Sequence, residues 1–200
     1  MRPCPYQSTL QETTMTAPRL FGISGALRRA STNTLLVHEA ARLFGPCDLQ
    51  MADIHLPLFD VDLEEKGLPD AVRALIDGAR AADAVIISTP EYNKNLPGAL
   101  KNALDWISRE KVDGKTALAG KPIAILSSAA GRAGGERAQF SLRHCLTAFN
   151  PRVLQGPEVF VANASKAFDA DGHLGNQMTL DMLTTLMAVL RAEIDMTRAA

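Results

Sequence analysis

Neither charge is in excess: the 200 residues carry 21 Lys and Arg against 22 Asp and Glu, a formal net charge of −1. So balanced a chain offers no electrostatic footprint for nucleic acid or for an anionic membrane surface. Long hydrophobic runs are missing too, none approaching the roughly 20 residues that span a bilayer. Cysteine is scarce. Cys4, Cys47 and Cys145 are odd in number and widely spaced, which argues against a disulfide framework and for a reducing, cytoplasmic setting. No metal-ligand spacing ties them to His38, His55, His144 or His173, which read as surface or capping residues. There is no internal repeat and no low-complexity tract. The first 17 residues, MRPCPYQSTLQETTMTA, lack the apolar core of a signal peptide and read as a disordered extension. Met15 lies just before the first strand and is an alternative to Met1 as the start.

What is present is a composition that is 46% hydrophobic, enough for one domain over residues 18–196 that buries roughly 70% of its unfolded surface. Strand and helix patterns alternate. Strands are expected at 19–23, 49–52, 84–88, 122–127 and near 153–161, and helices at about 32–43, 69–81, 97–107, 135–149 and 179–194. That alternation predicts an α/β fold in three layers, a five-stranded parallel sheet in order 2-1-3-4-5 with helices on both faces. In the last helix, Leu180, Leu183, Met187, Leu190 and Ile194 step by three and four, a stripe suited to packing on the sheet. The loop over residues 53–68 (DIHLPLFDVDLEEKGL) is long and mixes apolar with acidic residues, as functional or self-packed loops do.

Three loops carry the candidate chemistry. The third strand, AVIIS, passes without alternation into Thr89-Pro90-Glu91-Tyr92-Asn93, and Pro97 then opens a one-sided helix with Leu96, Leu100, Leu104 and Ile107 on its apolar face. The loop thus offers a ring, an amide and a carboxylate at the carboxyl end of a strand, where open parallel sheets bind ligands. The first strand ends in Ser24-Gly25-Ala26-Leu27-Arg28-Arg29-Ala30-Ser31-Thr32-Asn33. Gly25 permits close backbone approach, Arg28 supplies a charged fork, and Ser24, Ser31, Thr32 and Asn33 supply neutral donors beside a positive helix end. The same Ser, Thr and Asn also suit plain N-caps. Neither GxGxxG nor GxxxxGK[ST] is present. The fourth strand ends in Ser127-Ser128-Ala129-Ala130-Gly131, small residues against which a flat ligand can lie.

With those residues in place, residues 19–194 resemble the NADPH-dependent FMN reductase family, flavodoxin-like quinone, chromate and azo-dye reductases. The family pattern GSxRxxSxN is matched from Gly25 to Asn33, with Ala26 in place of the usual serine, a loss of one donor worth roughly 1 kcal/mol. The TPEYN motif is matched at residues 89–93 and PGxLKNxxDW at 97–106. In the fourth-strand loop the family often has Ser-Pro-Gly where this chain has Ala129-Ala130-Gly131.

The resemblance implies a flavodoxin-like fold and FMN as cofactor. The phosphate would be held by Arg28, Ser31 and Asn33, with Ser24 and Thr32 as further donors. The ring edge would lie against Pro90, Glu91, Tyr92 and Asn93, and Ser127 and Gly131 would border it. It further implies ping-pong transfer of two electrons from NADPH or NADH through FMN to a small-molecule acceptor such as a quinone, azo dye or chromate, with no side-chain nucleophile. Arg132 and Arg137 are candidates for the NADPH 2′-phosphate. A homodimer or homotetramer is implied, with Leu56, Leu58 and Phe59 lining the contact or capping the flavin. Trp106, on the helix, is expected in the core or at that interface. Two rivals stay open: a flavodoxin-type electron carrier, against which Arg28 and the near-zero net charge speak, and a non-catalytic flavin- or nucleotide-binding regulator.

Overall fold

The computed structural model describes residues 16–199; most of the expected N-terminal extension, with Met1 and Met15, lies outside them. β1 (Arg19–Ser24), β2 (Asp48–Met51), β3 (Ala84–Thr89) and β4 (Pro122–Ser128) are parallel in the order β2-β1-β3-β4, with β5 (Arg152–Val153) beyond β4. All residues of β3 and β4 are buried, which is why these strands read as unbroken apolar runs: helices cover both their faces. α1 (Thr32–Phe44), α3 (Asp70–Ala81), α4 (Gly98–Ile107), α5 (Glu136–Leu146) and α6 (Gln177–Ala199) provide the outer layers, and the four-residue α2 (Val61–Glu64) sits in the long second loop.

Strand alternation divides the core in two. Phe21, Ile23, Val85, Ile87, Ile123 and Ile125 face the layer of α3, α4 and α5. Their neighbours Leu20, Ala84, Ile86, Ala124 and Leu126 face α1 and α6. This two-residue period on a sheet covered on both sides is what makes the fold three layers thick. Leu183, Met187, Leu190 and Ile194 of α6 are buried in the second cluster, so that stripe packs on the sheet.

One element differs from expectation. The fifth strand is two short pieces, β5 and β6 (Val159–Val161), and both pair with β4, at Pro122–Ile123 and at Leu126–Ser128. Between them lies Pro157, which has no N–H to give a ladder and interrupts it. The fourth long helix also ends earlier than expected, at Leu146, and continues as a 3₁₀ turn over Thr147–Phe149. α6 runs to Ala199, past the expected domain end.

Two side-chain clusters tie loops to this frame. Asn102 of α4 accepts from the Phe59 amide (2.8 Å) and donates to the Pro57 carbonyl (2.9 Å), while the Trp106 indole N–H donates to that same carbonyl (2.9 Å). Phe59 meets Trp106 edge-on at 5.0 Å. The segment around Pro57 is therefore fastened to α4 through two residues one helical turn apart. Trp106 is fully buried, Leu56 and Phe59 pack on the core, and Leu58 is left 81% exposed.

On the opposite face, buried Glu39 of α1 accepts from Arg42 (2.7 and 2.9 Å), from the Leu174 amide (3.3 Å) and pairs with His173 (3.0 Å). Burial alone would raise its pKa, but the hydrogen bonds from Arg42, His173 and Leu174 outweigh it and hold the carboxyl below its ordinary value. The carboxylate therefore contributes stability that is present above the unfolded-state pKa of about 4.3 and is lost as pH falls through the lower folded value. Glu39→Gln is expected to cost about 1–2 kcal/mol at pH 7, with the difference from wild type shrinking in acid. Urea unfolding at pH 7 and near pH 3 checks this; a difference that does not shrink at the lower pH contradicts it.

Candidate functional site

The carboxyl ends of β1, β3 and β4 deliver their three loops to one edge of the sheet. Between them lies a cleft of about 390 Å³, with the loop after β6 as its fourth wall. Gly25 brings the first two loops together. Its amide donates to the Ser88 carbonyl (2.8 Å), and a Cβ there would stand 3.0 Å from Pro90.

At one end of the cleft is the start of α1. Ser31 is its N-cap, and the hydroxyl oxygen accepts from the amides of Asn33 (3.2 Å) and Thr34 (3.4 Å). Among the described residues no hydrogen bond uses the Thr32 amide, which stays at the positive end of the helix dipole. Arg28 lines the cleft, is exposed, and makes no ion pair among the described residues. A free guanidinium beside a helix N-terminus is the donor set a phosphate monoester takes.

The other end is apolar. Pro90 is buried, Tyr92 is 52% exposed at the rim, and Ala129, Ala130 and Ala164 form walls without bulk. Tyr92 is held by a two-residue hairpin: its backbone pairs with Asn95 in both directions (3.0 and 3.1 Å), across Asn93 (φ 52°) and Lys94 (φ 66°). Positive φ at both positions is the turn that suits strand twist, and Asn tolerates it better than other side chains.

Of the residues expected at the site, Arg28, Ser31, Thr32, Asn33, Pro90, Glu91 and Tyr92 line the cleft. Ser24, Asn93, Ser127 and Gly131 do not. Ser24 is buried and accepts from Thr34 Oγ1 (2.9 Å). Asn93 serves the hairpin. Ser127 is fully buried, donating to the Gly134 carbonyl (2.7 Å) and accepting from Gln139 (3.0 Å). Gly131 is exposed in the turn before α5.

Glu91 lies at the cleft, yet its carboxylate is engaged behind it. It accepts from the Arg137 amide (3.1 Å) in the first turn of α5 and pairs with the Arg137 guanidinium (3.6 Å). Charge and dipole favour that placement. The pairing engages Arg137, whereas Arg132 is exposed and without an ion pair among the described residues; neither lines the cleft.

Ser128, of the small-residue segment at the end of the fourth strand, lines the cleft, and so do Ala164 and Ser165, which no sequence motif points to. Ser128 donates its hydroxyl to Thr32 Oγ1 (3.1 Å), linking the first and fourth-strand loops. Ala164 and Ser165 follow β6 in the chain, and no local pattern marks them; the pairing of β6 with β4 and the bond from the Ala164 amide to the Ala129 carbonyl (3.2 Å) bring them to this edge.

The family model for NADPH-dependent FMN reductase matches residues 18–166. The chain is 39% identical over 175 residues to an NAD(P)H-dependent FMN reductase of Pseudomonas aeruginosa, covering 86% of this chain and 93% of that protein. It is also 39% identical over 168 residues to a quinone reductase of Escherichia coli, with 80% and 86% covered. Among solved structures it is similar to FerB of Paracoccus denitrificans, a flavoenzyme NAD(P)H:(acceptor) oxidoreductase, with a TM-score of 0.81 and 29% identity over 90% of this chain and 98% of that one.

Proposed function

The chain belongs to the NADPH-dependent FMN reductase family and is an FMN-dependent NAD(P)H oxidoreductase, and from that premise we propose that it reduces quinones and similar planar acceptors at the cleft between its β1, β3 and β4 loops. The observation that carries the site is the uncommitted Arg28 beside the α1 N-terminus, at one end of a cleft whose other end is walled by alanines and a rim tyrosine. Bound FMN supplies the two-electron exchange between NAD(P)H and the acceptor.

The protein's part is placement and charge. Arg28, the Ser31 hydroxyl hydrogen and the Thr32 amide neutralise and hold a phosphate. Pro90 and Tyr92 would present apolar surface to the flavin ring, and the small Ala129, Ala130 and Ala164 would leave room in the cleft for a flat acceptor. Glu91, turned onto α5 by Arg137, keeps its negative charge away from the phosphate end. Arg132 is the remaining cation for the NADPH 2′-phosphate. No helix among the described residues is long and apolar enough to cross a membrane, and the free thiols Cys47 and Cys145 accord with a cytoplasmic enzyme. A homodimer or homotetramer would cover exposed Leu58 and Phe140.

The test is the visible spectrum of protein incubated with FMN and desalted, recorded before and after anaerobic NADPH and again after a quinone. Flavin absorbance should stay with the protein, bleach with NADPH and return with the quinone. Retained flavin that does not bleach would point to an electron carrier or regulator instead.

A further inference from the structure

Asn33 stands inside the motif that implies a phosphate contact, but its carboxamide is already engaged. It is 2% exposed. Its Oδ1 accepts from the Ser88 hydroxyl (2.8 Å) and from the Ser128 amide (3.0 Å), and its Nδ2 donates to the Ser128 carbonyl (2.9 Å). Both acceptor positions of the amide oxygen are thereby filled, and one N–H of two is spent. The three bonds reach from the second residue of α1 to the penultimate residue of β3 and the end of β4, across 55 and 95 residues of sequence. Ser88 is fully buried.

We propose that Asn33 is a positioning residue, a clamp that holds the phosphate end of the cleft at a set height over its ring end rather than a ligand of the phosphate. This rests on the flavin site assigned above. The α1 start carries Ser31, Thr32 and, just before them, Arg28; β3 and β4 carry Pro90, Ala129 and Ala130. Only Asn33 and the Thr32–Ser128 hydroxyl contact join these two halves by side-chain hydrogen bonds among the described residues. Without the carboxamide, the Ser128 N–H and the Ser88 hydroxyl are left buried and unpaired, and the first loop is held to the sheet only by the Gly25–Ser88 backbone bond and the Thr32–Ser128 contact.

Binding of FMN and of riboflavin, which shares the ring and ribityl chain but lacks the phosphate, separates a clamp from a ligand. Asn33→Ala should weaken both by similar factors, of order tenfold, and Ser88→Ala should weaken both by a smaller common factor. Arg28→Ala should weaken FMN and leave riboflavin nearly unchanged. A loss confined to FMN in Asn33→Ala would make it a phosphate ligand and overturn the proposal, as would no loss for either flavin. Val72→Ala, on α3 in the opposite layer, controls for general destabilisation. If it loosens both flavins as much as Asn33→Ala at comparable melting temperature, the clamp is refuted. Hydrogen exchange on flavin-free protein gives an independent reading: Asn33→Ala should accelerate residues 26–32 and 128–130 together, and unchanged exchange there refutes the clamp. Wild-type protein that binds neither flavin would overturn the functional reading, with the exchange result then deciding the clamp alone.

Discussion

Arg28→Ala should raise the FMN dissociation constant by about 10- to 100-fold. The basis is that a hydrogen bond to a charged group is worth roughly 1.5–3 kcal/mol, and each 1.4 kcal/mol is about a factor of ten. Arg28 has no ion pair among the described residues, so its removal orphans no internal partner and the effect should fall on ligand binding with little change in folding stability. Because the residue is exposed, part of its contribution is screened, and the wild-type affinity should drop more steeply with salt than that of the variant. Arg28→Lys keeps the charge but not the planar fork and should recover only part of the loss. Fluorescence titration of FMN at two salt concentrations measures all of this. An affinity within twofold of wild type would place the phosphate elsewhere.

The largest effect on folding is expected at Trp106. Its side chain is fully buried, and its N–H is one of two donors to the Pro57 carbonyl. Trp106→Ala should cost about 3–5 kcal/mol, the cavity and transfer penalty for a buried aromatic. Trp106→Phe preserves most of the apolar contact and should cost less, about 1–2 kcal/mol, because Asn102 still bonds Pro57. The two variants separate packing from the hydrogen bond. Urea unfolding gives the energies, and limited proteolysis reports whether the segment near Pro57 and Phe59 has come loose. A loss below about 1 kcal/mol for the alanine variant would mean that the loop is held by something other than this contact. Asn102, in the same motif and bonded to the same segment, explains why the helix after TPEYN carries both residues: they secure a neighbouring loop, and neither lines the cleft.

Much of this protein is legible from local pattern. Buried parallel strands need apolar side chains on both faces, so AVIIS and PIAILS announce β3 and β4 by themselves, and the alternation of strand and helix leaves few topologies open. The split of the fifth strand is not legible in this way: residues 153–161 read as one strand, and the break at Pro157 emerges only in the structure, where β5 and β6 pair separately with β4. The three loop motifs follow directly, since loops after β1, β3 and β4 of such a sheet must share an edge.

Which atoms within those loops face the cleft is a different question, and residue type does not answer it. Ser, Asn and Glu bond equally well to a ligand, to a helix end or to a distant backbone, and the choice depends on what the fold places within about 3 Å. Tertiary structure turned Ser24 and Ser127 into the interior, gave Asn93 to a hairpin, tied Glu91 to α5 and closed Asn33 onto Ser88 and Ser128. It also brought Ala164 and Ser165 to the cleft through β6. Sequence alone determined where the site must lie, because strand burial and crossover geometry are short-range rules. Only the packed fold decided which side chains remain free to act there, because a polar group inside a protein bonds whatever partner the rest of the chain brings to it.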